Sequence, residues 1–298
     1  MERTEERNPL SMGIDMKSTA EILRIMNDED KKVPYAVEKA LAQISVVVDD
    51  TVASFLKGGR LFYAGAGTSG RLGVLDASEC PPTFGVDESM VQGIIAGGER
   101  ALTHSVENAE DDGDAAVEEL RRRGFSSDDT LVGISANGNA PYVIGAMKYA
   151  ISIGASTAAI CSNPDTSMFN LIDENHRIYI PVGPEIITGS TRLKSGTGQK
   201  LVLNMITTAS MIRIGKVYNN LMVDMKPVNA KLVKRAERLI REVTGCNEER
   251  SVVLFEESGG NTKTAITMEL SGLGRKDAEK LLSRCGGSIR AVIEETKR

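Results

Sequence analysis

Arg60-Leu61-Phe62-Tyr63-Ala64-Gly65-Ala66-Gly67-Thr68-Ser69-Gly70 settles the fold class of this chain. A short apolar run ends in glycines and small hydroxyl residues. A run of that length, closed by glycine, reads as a buried strand rather than a helix. The same grammar repeats downstream. Gly93-Ile94-Ile95-Ala96 runs into Gly97-Gly98, and Thr130-Leu131-Val132-Gly133-Ile134 into Ser135-Ala136-Asn137-Gly138-Asn139. Thr157-Ala158-Ala159-Ile160 runs into Cys161-Ser162-Asn163-Pro164, and Arg177-Ile178-Tyr179-Ile180 into Pro181-Val182-Gly183-Pro184. Helical patterns lie between several of these runs, most clearly at 114–123 and 141–153. Strands alternating with helices predict an α/β fold over residues 34–222, a doubly wound parallel sheet covered on both faces.

Upstream, over 33–56, Val37, Ala40, Leu41, Ile44, Val47 and Val48 recur at three- and four-residue steps, the pattern of an amphipathic helix. Residues 1–33 read as a polar N-terminal helical arm, helical over 19–26 and loop over 27–32. Downstream, residues 223–298 change character and predict a small helical C-terminal domain. It opens with a charged helix over 229–242. Gly259-Gly260 and Gly286-Gly287 then stand 27 residues apart, and at that offset Leu254, Phe255 and Ile266 match Leu281, Leu282 and Ile293, a weak internal repeat.

Composition narrows the function. The 298 residues carry 36 Lys and Arg against 41 Asp and Glu, a net charge of −5, which gives no electrostatic reason to expect nucleic acid or an anionic membrane surface. Aromatics at 4% with no Trp leave little for base stacking. Cys80, Cys161, Cys246 and Cys285 are scattered without a CxxC, and His104 and His176 are the sole histidines. Neither a metal site nor a disulfide framework is expected, and a reducing cytoplasm fits best. The charged start and the lack of any apolar run near ~18 residues argue against a leader and a membrane span.

In an open parallel sheet, ligands bind at the C-terminal strand ends, where helix N-termini also point. The loop after Ala64 spells G-x-G-x-x-G, the dinucleotide fingerprint. However, the second strand ends in Ala96-Gly97-Gly98 without a fitting ribose-binding acid, and Thr68, Ser69 and Gly70 suit a compact phosphate monoester. Ser135, Asn137, Gly138 and Asn139 end the third run. Ser190, Thr191 and Lys194 precede a long apolar helix around 198–213. Three such loops at one sheet edge predict a sugar-phosphate site. Two carboxylates stand nearby in sequence. In Asp76-Ala77-Ser78-Glu79-Cys80-Pro81-Pro82, proline disfavours helix at Cys80, which predicts Glu79 at a helix end, the unfavourable pole for a carboxylate and a suitable place for a general acid. Glu107-Asn108-Ala109-Glu110-Asp111-Asp112 crowds acids at a helix start, with Asp111 or Asp112 as the cap.

These segments resemble the bacterial N-acetylmuramic acid 6-phosphate etherase family. The likeness rests on Gly65-Ala66-Gly67-Thr68-Ser69-Gly70-Arg71-Leu72-Gly73, on Asp76-Ala77-Ser78-Glu79-Cys80-Pro81-Pro82-Thr83-Phe84-Gly85, and on Ile95-Ala96-Gly97-Gly98 and Leu203-Asn204-Met205. Asn27-Asp28-Glu29-Asp30-Lys31, Gly215-Lys216-Val217-Tyr218 and Asn220-Leu221-Met222-Val223-Asp224 share it. The resemblance implies a flavodoxin-like sugar isomerase domain followed by a helical domain resembling a ubiquitin-associated three-helix unit. It implies a carbon–oxygen lyase that takes N-acetylmuramic acid 6-phosphate to N-acetylglucosamine 6-phosphate and D-lactate during peptidoglycan recycling, without metal or organic cofactor. It places the two catalytic glutamates at Glu79, taken as the acid, and Glu110, taken as the base. It also implies a homodimer with its active site near the subunit interface. One departure stands out: Asn137, Asn139 and Ala140 occupy positions that carry Ser, Arg and Thr in the family, which implies an altered phosphate affinity. The alternatives are a non-catalytic sugar-phosphate-binding regulator, like the related glucokinase regulatory protein, a sugar-phosphate isomerase, and a nicotinamide-dependent dehydrogenase. Retention of both glutamates favours the etherase.

Overall fold

A computed structural model describes residues 3–225, 227 and 229–297. The chain divides into two compact units, one comprising 1–78 with 88–208 and the other 79–87 with 209–298.

The first unit is built on five parallel strands, β1 (Leu61–Gly65), β2 (Val91–Ile95), β3 (Thr130–Ile134), β4 (Ser156–Cys161) and β5 (Arg177–Tyr179), in the order β2-β1-β3-β4-β5. That order is the flavodoxin-like one, with the switch point between β1 and β3. All five residues of β1 and of β3 are buried, which is why those runs are apolar throughout rather than alternating. Phe62, Ala64, Leu131, Ala159 and Cys161 form one core with α6 (Gly113–Arg122) and α7 (Pro141–Ser152). The opposite face meets α3 (Leu41–Leu56) and α4 (Gly67–Phe84). There Gly73 lies so close to Tyr63 that an added Cβ would sit 2.9 Å from the Tyr63 Cβ.

The N-terminal arm differs from its expectation in two places. First, α1 runs Thr19–Asp30, through the acidic stretch read as a loop, with Ser18 and Glu21 forming a capping box. Second, the helix read over 33–56 is two helices, α2 (Val33–Glu38) and α3, separated at Lys39 and Ala40. Buried partners explain the first: Glu29 is 3% exposed because it is held by cations described below.

α3 is tied to the β5 edge through His176. Its Nε2 lies 2.9 Å from Asp50 Oδ2 and its Nδ1 2.8 Å from Asp173 Oδ2. Burial pulls the imidazole pKa down, but the two carboxylates outweigh burial and raise it. A raised folded pKa stabilises the protein fully below the unfolded value near ~6.5, and that stabilisation is lost as pH rises through the folded pKa. The expected result is that His176→Gln lowers Tm most at pH 5.5 and progressively less toward pH 9. Thermal melts of both proteins across that range check it, and a penalty that does not change with pH would contradict it.

Among the described residues the second unit carries a hairpin, β6 (Val217–Tyr218) and β7 (Leu221–Met222), followed by five α-helices. These are α9 (Ala230–Thr244), α10 (Glu248–Glu257), α11 (Thr262–Ser271), α12 (Arg275–Arg284) and α13 (Ile289–Thr296); α5 (Arg100–Thr103) and α8 (Lys194–Arg213) are the remaining α-helices among the described residues. The repeat is visible in the backbone. Both Gly-Gly pairs lie at positive φ, and Asn261 and Ser288, again 27 residues apart, cap α11 and α13. Leu254, Ile266, Leu282 and Val292 share one core.

Candidate active site at the C-terminal strand edge

The first loop is shorter than its motif. α4 begins at Gly67, so Thr68, Ser69 and Gly70 occupy its first turn. Gly65 and Gly70 are there for packing: a Cβ on Gly65 would meet the Gly70 amide nitrogen at 2.5 Å, and one on Gly70 would meet Ile95 at 2.5 Å. Strand and helix thus approach closely, and the exposed start of α4 presents backbone N–H groups and its positive pole. Thr68 lies against the start of α8, where a Cβ on Gly196 would sit 3.4 Å from Thr68 Cγ2. Ser69 Oγ donates to Gln199 Oε1 at 3.0 Å. Among the described residues, Gln199 Nε2 and Ser195 Oγ are buried without a hydrogen-bond partner. Leaving a buried donor unpaired costs about 1–3 kcal/mol, and both of these stand in the first turns of α8. The sequence pattern placed Ser195 in the loop before the helix without singling it out, and Gln199 at the start of the helix read over 198–213.

The third loop is self-organised. Ser135 Oγ donates to Asn137 Oδ1 at 2.9 Å and accepts the Gly138 N–H at 3.1 Å. Asn137 Oδ1 also accepts the Asn139 N–H at 3.0 Å, while Asn139 Oδ1 accepts the Ser167 N–H at 3.0 Å. Gly138 has φ +75°, and a Cβ there would strike Thr166 at 2.5 Å, so glycine is required. Asn137 and Asn139 therefore shape this loop through their own hydrogen bonds.

At the last loop, the expected open helix start is a correction. Glu185, fully buried, accepts the N–H groups of Lys194 at 3.0 Å and Ser195 at 2.9 Å, so an internal carboxylate already fills the anion position of α8. Lys194 is likewise not a free cation: its Nζ lies 2.6 Å from Glu29 Oε2, both side chains almost wholly buried. Glu29 also accepts from Lys32 and from Asn8 Nδ2. Burial pushes the Glu29 carboxyl up, but these three donors prevail and hold it down at about 2. Ser190 and Thr191 remain half-buried, their carbonyls closing the turn onto Leu193 and Gly196.

Glu79 is exposed on α4, but not at its end. The helix continues through Pro81 and Pro82 to Phe84, although prolines cannot donate to the carbonyls of Ala77 and Ser78. The last turn buries Cys80 and Phe84 and closes on Gly85 at φ +65°, whose N–H reaches Pro81 O at 2.9 Å. Packing outweighs the local proline penalty. Earlier in the same helix, buried Asp76 accepts from Tyr63, Asn204 and Thr207, and burial raises its carboxyl pKa against these donors. Glu110 is exposed in a 3₁₀ turn, Ala109–Asp111, that follows Asn108 at φ +61°. Asp112 caps α6 by accepting the Ala115 N–H at 3.0 Å, as expected. Arg71 on α4 donates to the carbonyls of Leu102 and His104, fastening the segment that leads into this turn.

Comparison with known proteins supplies the family. Residues 43–151 match the glucokinase regulatory protein N-terminal SIS domain. An N-acetylmuramic acid 6-phosphate etherase of Actinobacillus pleuropneumoniae serotype 7 is 53% identical over 97% of this chain and 95% of its own. The etherase of Glaesserella parasuis serovar 5 is 55% identical over 96% of this chain and 93% of its own. N-acetylmuramic acid 6-phosphate etherase 2 of Vibrio cholerae is 53% identical over 98% and 94%. Among solved structures, a phosphoheptose isomerase from Francisella tularensis aligns with a TM-score of 0.50 at 14% identity, covering 65% of this chain and 98% of that one, which bears on the fold alone. Matched at 53–55% identity over 96–98% of its length, this chain belongs to the N-acetylmuramic acid 6-phosphate etherase family.

Proposed function

We propose that this protein cleaves the D-lactyl ether of N-acetylmuramic acid 6-phosphate, giving N-acetylglucosamine 6-phosphate and D-lactate in peptidoglycan recycling. The full-length identity to curated etherases carries this reading. The unpaired amide nitrogen of Gln199, whose Oε1 accepts from Ser69 in the first turn of α4, supports a phosphate position at Thr68, Ser69 and Gly70, with Ser190 and Thr191 on the neighbouring turn. The loop from Ser135 to Asn139 completes that edge.

An unactivated ether resists hydrolysis, so the route runs through the ring-opened sugar. The C2 proton lies next to the aldehyde and is acidic. Glu110 takes that proton, the C2–H electrons form the C2=C3 bond, and the C3–O bond to lactate breaks. Glu79 delivers a proton to the departing oxygen. Water then adds to C3 of the unsaturated aldehyde, losing a proton to Glu79 while Glu110 returns its own to C2. Both carboxyl groups end as they began. In heavy-oxygen water, the label is expected at C3 of the sugar and absent from D-lactate, read by mass spectrometry of both products. Label in the lactate would exclude elimination.

We place the protein in the cytoplasm as a homodimer with its active site near the subunit interface. Exposed Leu41 on α3 and Met205 and Ile212 on α8 support a buried partner face. Sedimentation equilibrium is expected to return twice the 32.0 kDa chain mass, and the single-chain mass would refute the dimer.

A further inference from the structure

The first residues of the arm lie on the ligand edge of the sheet. Thr4 is 2% exposed and spends all three of its polar groups there. Its N–H donates to Asn163 Oδ1 at 3.2 Å, its Oγ1 accepts from Asn163 Nδ2 at 3.2 Å, and its carbonyl accepts the Gly189 N–H at 3.2 Å. Asn163 follows β4, and its Nδ2 also reaches Asn137 O at 3.5 Å. Thr4 and Asn163 together therefore join the loops after β3, β4 and β5. Glu5 continues the contact, since a Cβ on Gly189 would sit 3.2 Å from Glu5 Oε2. Asn8 anchors the segment from behind, donating to Glu29 Oε2 at 2.9 Å and to Pro184 O at 3.1 Å. Through Glu29 that anchor reaches Lys194 and the start of α8.

We propose that Thr4 and Asn163 are positioning residues for the sugar-phosphate site, a clasp by which the N-terminal segment holds the Asn137 and Gly189 loops in their binding geometry. The proposal rests on the site reading given above. Loops at a strand edge are otherwise free to open locally, and each opened population lowers apparent affinity in proportion to the closed fraction lost. The clasp contributes no group to the reacting atoms, so it acts on substrate binding and leaves the chemical step alone.

The test uses full-length protein, with Thr4→Val, which keeps shape and removes the hydroxyl, and Asn163→Leu, which removes the amide. KM is expected to rise five- to tenfold in Thr4→Val and further in Asn163→Leu, with kcat within twofold of the parent. Hydrogen exchange adds a readout that does not depend on turnover, using N-acetylglucosamine 6-phosphate as the probe. In the parent protein the probe is expected to slow exchange in peptides covering 135–139, 187–191 and 3–8 together. In Thr4→Val the two loops are expected to exchange faster before the probe is added. Protection of the loops without the arm, together with an unchanged KM in folded Thr4→Val, would overturn the clasp and leave the site intact. A probe that protects neither loop would overturn the site reading itself. If Asn163→Leu fails to fold, Thr4→Val alone decides.

Discussion

Replacing Glu79 or Glu110 with glutamine is expected to cut D-lactate release by about 10²–10⁴-fold each while leaving the protein folded. Both side chains are exposed, so exchanging a carboxylate for an amide of the same shape costs little stability. Each amide, however, can neither take nor give the proton the reaction moves. The two variants also separate the roles. With the base intact, Glu79→Gln should still exchange the C2 hydrogen with deuterium from solvent while failing to expel lactate. Glu110→Gln should lose both. An enzyme-coupled D-lactate assay, a thermal melt and NMR of the recovered sugar measure the three quantities. Near-parental turnover in either variant removes that residue from the mechanism.

The second large effect lies in the Lys194–Glu29 pair. Breaking a buried ion pair costs up to about 3–5 kcal/mol, and without Lys194 the buried Glu29 keeps only the exposed Lys32 and Asn8, so Lys194→Met alone is expected to lower Tm by up to roughly 10 °C. Replacing both, with Glu29→Leu added, should recover much of the loss, because an apolar pair of similar volume removes the stranded carboxylate. The pair also sets an acid limit. Glu29 is held at about 2, below its unfolded value near ~4.3, so its stabilisation is present above that unfolded value and lost as pH falls from there through 2. Calorimetry of the single and double variants checks the first claim, and acid titration of the folded signal checks the second. A single variant as stable as the parent would show that the pair contributes nothing.

Sequence patterns reached much of the sheet and less of the site. The five strands of the parallel sheet were legible because short apolar runs, each closed by glycine, proline or small polar residues and alternating with helical patterns, fit buried parallel strands, and β1 and β3 are buried along their whole length. Asp112 was legible as a cap because capping is local in the chain. The proline pair misled because local conformational preference at Cys80 was weighed without the burial of Phe84. Lys194 misled in the other direction. A cation among hydroxyl residues looks like a phosphate ligand until Glu29, 165 positions away, takes its ammonium.

The residues by themselves therefore determined the alternation of strands and helices, the edge where the loops gather and, through likeness, the family. Those properties are written in periodicity and in contiguous motifs, where cause and effect are a few residues apart. Only the tertiary structure decided which polar groups are already spent. Glu185 fills the start of α8, Glu29 holds Lys194, and Thr4 reaches Asn163 across 159 positions. A hydrogen-bonding group takes whichever partner the fold brings within about 3 Å, and spacing along the chain does not encode that distance.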